Sequence, residues 1–405
     1  MPSSFLHPFT PPRKEEFISI SGGKGAVVVD TNGNEYIDGM GSLWYANVGY
    51  GREEIADVVA DTLRQLGAYH TFDPFTNPQS EELAAKIIEL SPYDDARVFF
   101  GSSGSEAVDT AMKLARIAHR EAGRPEKTII VSRERGYHGT NYGGTSVQGI
   151  PPNRDGFGPL VPGIINVVAD DDEAMKKIFA EHGDEIAAVI TEPIQGAGGV
   201  WPPPDGYLSH LRDLCDTYGA FLIFDEVITG FGRTGKWFGS QFYGVTPDLT
   251  TFAKAVTSGY VPLSGVIVGP KVLAGLEANE GFVLRTGYTY SGHPAACAAA
   301  LKCIEIQERE GLLARATAIG ERLGSGLRAL RDEGLLVDVR GEGAVWGISA
   351  NDGVNVVAAR DALLRKGVIM RPIPPSHLTM CPPLVISDEQ LDTMISALRA
   401  VLTAG

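Results

Sequence analysis

Ala220-Phe221-Leu222-Ile223-Phe224-Asp225 and Leu249-Thr250-Thr251-Phe252-Ala253-Lys254 are two short strand-like runs, each leading to a charged residue. That pattern suits strands buried on both faces of a parallel sheet. Runs of the same kind at 97–100, 128–131, 164–168, 187–191 and 263–268 alternate with stretches of helical character. The alternation predicts an α/β fold: a mostly parallel seven-stranded sheet with helices on both faces. Ligands of such sheets sit in the crevice beyond the carboxyl ends of the strands. Asp225 and Lys254 are therefore expected to face one small molecule.

A lysine amine can hold an aldehyde as a Schiff base, and a carboxylate opposite a pyridine nitrogen favours its protonated, electron-withdrawing form. The pair points to pyridoxal 5′-phosphate. Gly101-Ser102-Ser103-Gly104-Ser105-Glu106-Ala107 follows one strand and opens a helix with an apolar face at Ala107, Val108, Ala111, Leu114, Ala115 and Ala118. Its first-turn N–H groups suit a phosphate monoester, although serine N-capping alone explains the same residues. In Gly136-Tyr137-His138-Gly139 the tyrosine could lie flat on a conjugated ring, with the glycines permitting close approach; an interior aromatic is the plainer reading. Glu192, in Glu192-Pro193-Ile194-Gln195-Gly196, is a further carboxylate at a strand end.

Gly230-Phe231-Gly232-Arg233-Thr234-Gly235 matches a dinucleotide fingerprint literally. No helical periodicity follows it, Asp225 and Glu226 already occupy the strand end, and no acidic strand tip lies about twenty residues on. A nicotinamide site is therefore rejected.

The whole chain fits a soluble globular protein of two or three domains: 405 residues, 43% hydrophobic, 21% charged, without internal repeats. A net charge of −15 disfavours nucleic-acid and anionic-membrane partners. Cys215, Cys297, Cys303 and Cys381 form no metal-site spacing, so no metal is expected. No stretch reads as a signal peptide or membrane span, and a cytoplasmic location is expected. Residues 24–38 read as a hairpin, with strands at Gly25–Val29 and Glu35–Ile37 about a turn at Asn32-Gly33. The expected division is an N-terminal segment, 1–50, packing with a small α+β domain, 296–405, beside a large cofactor-binding domain, 51–295.

Together, Ser103–Ala107, Gly136–Gly139, Glu192–Gly196, Asp225–Arg233 and Lys254 resemble the class III aminotransferases, pyridoxal-phosphate enzymes of fold type I, over nearly the whole chain. The resemblance implies that Lys254 carries the cofactor as an imine, Asp225 pairs with its ring nitrogen and Tyr137 stacks on the ring. Ser103, Gly104 and Ser105 would hold the phosphate, with His138, Glu192 and Val227 among the cofactor contacts. It also implies a homodimer, or a tetramer built from it, in which Thr289 reaches the neighbouring subunit's phosphate.

Ornithine-type and 4-aminobutyrate-type members carry a glutamate where this chain has Ala197. The chain instead is similar to the ω-amine:pyruvate branch, which shares Leu43-Trp44, Asn47–Arg52, His70-Thr71-Phe72 and Ile369-Met370-Arg371. By that likeness Arg371 would bind substrate carboxylates and swing aside for uncharged amines, while Trp44, Phe72, Tyr137, Ala197 and Ile228 form apolar walls. Residues 372–381 carry more proline than that loop is expected to have. The implied activity is ping-pong transfer of an amino group from an ω-amino acid or primary amine to a keto acid, pyruvate foremost. Decarboxylation or amino-group migration on the same scaffold is the alternative.

Overall fold

The computed structural model describes residues 4–404. Its central sheet has seven strands in the spatial order Arg97–Gly101, Ser264–Val268, Leu249–Phe252, Phe221–Asp225, Ile186–Thr191, Ile129–Arg133, Ile164–Val167. Ser264–Val268 runs antiparallel to both neighbours, and the other ladders are parallel. Every residue of Ile186–Thr191, Phe221–Asp225, Leu249–Phe252 and Ser264–Val268 is buried, which is why these strands read as unbroken runs. Register places Thr191 beside Phe224 and Asp225 beside Thr251, so Glu192, Asp225 and Lys254 emerge at one edge of the sheet.

Alternate side chains of each strand point to opposite layers. Ile223, Ala188 and Ile190 pack against Ala107, Ala111, Leu114, Ala115 and Ala118 of the helix Gly104–Glu121. Leu222, Phe224 and Val189 face Met175 and Phe179 of Asp172–His182 and Leu208 and Leu211 of Tyr207–Tyr218. Helices thus cover both faces, as the sequence predicts.

Beyond the helices Pro294–Arg309 and Leu312–Asp332 lies a four-stranded antiparallel sheet in the order Leu336–Glu342, Val345–Ala350, His377–Met380, Arg371–Ile373. The N-terminal hairpin is present about Gly33, whose φ is 83°. Its first strand is Val27–Asp30 rather than Gly25–Val29, because Gly25, at φ 57°, turns the chain back to an additional strand, Ile20–Lys24. Val368–Ile369 pairs in parallel with Glu35–Asp38, which joins the N-terminal strands to the C-terminal part through backbone bonds.

Gly230–Gly235 forms turns and opens no helix; the next helix is Gly239–Tyr243. Arg233 within it is fully buried and donates to the carbonyls of Ala344 at 3.1 Å and Pro382 at 2.6 Å, and to Oδ1 of Asn47. Asn47 Nδ2 returns a bond to the Phe231 carbonyl at 2.8 Å. One side chain therefore ties the strand-end loop to both terminal segments. The four cysteines are buried and unpaired by disulfides, and no described helix is long and apolar enough to cross a membrane. Arg233→Ala strands several buried acceptors, and a urea titration should show unfolding free energy lower by about 3 kcal/mol or more; a loss under about 0.5 kcal/mol, typical of a surface change, would remove Arg233 as the tie.

Candidate active site

Asp225 ends its strand as a 4% exposed carboxylate at the sheet edge. Three donors converge on it: His138 Nδ1 to Oδ2 at 2.8 Å, Thr251 Oγ1 to Oδ1 at 3.0 Å, and the Val227 N–H to Oδ1 at 3.2 Å. An ionised carboxylate only accepts, so His138 carries its proton on Nδ1. These bonds offset the desolvation of a charge that would otherwise cost several kcal/mol.

Lys254 follows the extended Ala253 and begins a 3₁₀ turn with φ at 49°. The left-handed region costs a non-glycine residue about 1–2 kcal/mol, and such strain persists where surrounding packing imposes it. Burial pushes the ammonium below the usual lysine range, with Asp225 and Glu192 acting in the opposite direction. Burial thus makes the neutral amine, the form that can attack an aldehyde, easier to reach than in an exposed lysine.

The helix Gly104–Glu121 is capped by Ser103 Oγ, which accepts from the Glu106 N–H at 3.2 Å, while Glu106 Oε2 accepts from Ser102 N–H at 2.6 Å. The N–H groups of Gly104 and Ser105 belong to the first turn, which a helix cannot satisfy internally. A Cβ on Gly104 would lie 3.1 Å from Val227 Cγ1, and one on Gly139, where φ is 90°, 2.5 Å from Ser105 Oγ. Glycine at both positions keeps the two loops in contact beside the helix end.

Glu192 joins the remaining loops. Its Oε1 accepts from the Tyr137 N–H and its Oε2 from the Gly196 N–H, both at 2.9 Å. Burial foremost, with Asp225 adding to it, pushes the carboxyl up to about 7 against the pull of His138 and these two N–H groups. Tyr137 is half-buried, and burial raises its phenol above the usual range.

One cavity of about 350 Å³ is lined by Ser103, Gly104, Ser105, Tyr137, His138, Glu192, Asp225, Val227, Ile228 and Lys254. Trp44 is buried beside it, against Ile228 and Gly196, and Ala197 is half-buried in the next position of the same loop. Arg371 begins an edge strand of the antiparallel sheet, near enough to Tyr137 and Lys254 to act on both electrostatically. Phe72 and Thr289 are exposed and stand outside this cavity in the single chain, with Phe72 packed beside Gly287. Sequence reading missed Thr251, whose hydroxyl grips Asp225, and Tyr45, which also lines the cavity. A polar side chain inside the buried run Leu249–Phe252 was the available signal for the first; an isolated tyrosine after Trp44 gave none for the second.

These residues fit pyridoxal phosphate. The cavity holds an amine, a buried carboxylate fixed by three donors, a flat aromatic, and first-turn N–H groups for an anion. Among the described residues, no group of three His, Cys, Asp or Glu is placed to hold a metal ion.

Comparison with known proteins agrees with this geometry. The sequence model of the family Aminotransferase class-III matches residues 9–402. A putrescine–pyruvate aminotransferase of Pseudomonas aeruginosa is 37% identical over 413 residues, covering 95% of this chain and 90% of the relative. An omega-aminotransferase of Caulobacter vibrioides is 35% identical, covering 98% and 97%. The crystal structure of an amine transaminase from an uncultivated Pseudomonas species, in its PLP-bound internal aldimine form, superposes with a TM-score of 0.94 at 34% identity, covering 99% of each chain.

Glu192 sets a pH test. Its folded value lies above the ordinary carboxylate range, so its contribution to stability is complete below that range and is lost as pH rises through about 7. Glu192→Gln removes the titration. In cofactor-free protein, the wild-type melting temperature should fall relative to the variant's between about pH 5 and about pH 8; parallel melting curves across that interval would contradict the assignment.

Proposed function

Because the chain belongs to the class III aminotransferases, a pyridoxal-phosphate-dependent family, we propose that it moves an amino group from an ω-amino acid or primary amine to pyruvate, in two half-reactions. The observation that carries this reading is the convergence of Lys254 and Asp225 on one cavity that the first turn of Gly104–Glu121 also lines. When bound, the cofactor supplies an aldehyde that exchanges amines and a protonated ring that draws electrons from the substrate carbon.

Asp225 is the partner for the ring nitrogen, and His138 and Thr251 hold that carboxylate in place. Tyr137 covers the ring, and the N–H groups of Gly104 and Ser105, with the hydroxyls of Ser103 and Ser105, take the phosphate. Lys254 holds the cofactor between turnovers. With the cofactor bound and the lysine displaced by the amine donor, the Lys254 amine would be the group placed to take a proton from the substrate carbon and to pass it on to the cofactor. Burial, which lowers the lysine's proton affinity, suits it to both duties.

Arg371 is the carboxylate reader. It is half-buried and has no ion-pair partner among the described residues, so its guanidinium is left to take a substrate carboxylate bidentately. Trp44, Ile228 and Ala197 form the apolar wall, and Ala197 supplies no carboxylate to occupy Arg371. Pyruvate as acceptor draws support from the Pseudomonas aeruginosa relative, a putrescine–pyruvate aminotransferase.

A homodimer completes the site in this reading. Tyr69, Phe72, Phe75 and Tyr290 are exposed at 50%, 50%, 45% and 63%. Phe72 and Phe75 line one groove with Gly287 and Tyr288, next to Thr289. A second copy covering these aromatics would bring Thr289 and Phe72 to its own neighbouring cavity.

Holoenzyme given pyruvate and a panel of ω-amino acids, diamines and aryl amines should form alanine; carbon dioxide release without alanine would instead make the protein a decarboxylase. Arg371→Ala should raise the KM for pyruvate by about 10–100-fold, the loss of a charge-assisted pair. An aldehyde acceptor should be nearly unaffected, and equal losses for both acceptors would refute the carboxylate role.

A further inference from the structure

The loop that follows Glu192 closes on itself through reciprocal bonds, Gln195 N–H to Trp201 O at 3.0 Å and Trp201 N–H to Gln195 O at 2.9 Å. It carries Gly196 and Ala197 at one end and the indole of Trp201 at the other, pinned by Nε1 donating to the Gly198 carbonyl at 3.0 Å. Two guanidiniums lie over that indole: Arg340 at 3.5 Å from the ring centroid and Arg135 at 4.6 Å. Asp338 pairs with Arg340 at 2.8 Å, and Asp170 pairs with Arg135 while also holding Arg133 at 2.9 Å, so carboxylates lie beside both cations where they meet. A cation over an indole is most favourable when desolvated, and the Arg340 side chain is only 9% exposed.

Arg340 extends the contact in two directions. Its Nη2 donates to the Gly199 carbonyl at 2.7 Å, within the loop, and its Nη1 to Ser349 Oγ at 2.8 Å. Ser349 Oγ lies 3.0 Å from His377 Nδ1, and the His377 ring stands edge-on to Trp201 at 5.6 Å and 87°. His377 belongs to the strand that pairs with Arg371–Ile373, in the register Arg371 to Thr379 and Ile373 to His377. Gly199, at φ 126°, makes the junction possible: a Cβ there would lie 2.8 Å from Trp201 Nε1 and 3.3 Å from both Arg340 Nη2 and His377 Cδ2.

We propose that Trp201 is a positioning residue for Arg371, clamping the 371–380 hairpin to the loop that bears Gly196 and Ala197. The proposal rests on the carboxylate role given to Arg371 above and refines it. With the hairpin backbone fixed, the guanidinium sits at a set distance from the apolar wall, and the site is preorganised for keto acids and amino acids whose carboxylate reaches it. Uncharged amines gain nothing from the clamp. Proline at 372, 374 and 375 acts in the same sense by limiting the backbone freedom of the hairpin.

Hydrogen–deuterium exchange on cofactor-free protein tests the clamp directly. Trp201→Ala should speed exchange across 371–380 by about tenfold, and Trp201→Phe, which retains a ring for the guanidiniums, should restore most of the protection. In loaded enzyme, Trp201→Ala should raise the KM for pyruvate by about tenfold and change that for propanal by less than about twofold. Unchanged exchange across 371–380, or equal losses with both acceptors, overturns the proposal. Should Trp201→Ala fail to fold, His377→Ala is read by the same criteria. Arg371→Ala is assayed alongside: if it does not separate the two acceptors, the carboxylate reading falls, while the exchange result still decides the clamp.

Discussion

A carboxylate buried at the end of a strand needs compensation, and the site is arranged around that need at Asp225. His138, Thr251 and the Val227 N–H supply donors from three different segments. Together they fix the carboxylate's position and leave the cavity as the place where a further hydrogen-bond donor is most rewarded. A protonated ring nitrogen meets that requirement. The same burial that makes a charge at Asp225 expensive lowers the proton affinity of Lys254, so one low-dielectric pocket acts on both groups.

Backbone geometry delivers these groups. Parallel register aligns the ends of Ile186–Thr191, Phe221–Asp225 and Leu249–Phe252, and the loops beyond them meet over glycines where side chains would collide. Glu192 ties the Tyr137 loop to the Gly196 loop through two backbone N–H groups. Arg233 and the Trp201 contacts lie one layer further out and join the large sheet to the segments contributed by both chain ends. Removing the Trp201 contacts would leave the cavity residues present but less well placed.

What the sequence disclosed follows from locality. Fully buried strands leave unbroken apolar runs, so Phe221–Asp225 and Leu249–Phe252 were legible with the residues beyond them. The first turn at Ser103–Ser105 was legible for the same reason: strand, turn and helix are contiguous. The strand Ile20–Lys24 was not, because Ser21-Gly22-Gly23 offers no apolar alternation and the strand is mostly exposed. Partnerships between distant positions were invisible too. Nothing local marks Thr251 as a ligand of Asp225, or brings 201, 340 and 377 together. Arg233 stands out in the sequence only as part of the glycine-rich run Gly230–Gly235, and its part as a buried tie depends on acceptors at 47, 344 and 382.

The central claim is that one cofactor ring lies between Lys254 and Asp225. Borohydride reduction of the yellow holoenzyme followed by peptide mapping addresses it most directly. The account predicts a single pyridoxyl-modified residue, Lys254, with modification markedly diminished by Asp225→Ala. Modification of another lysine, or equal labelling of Lys254 without the Asp225 carboxylate, would contradict it.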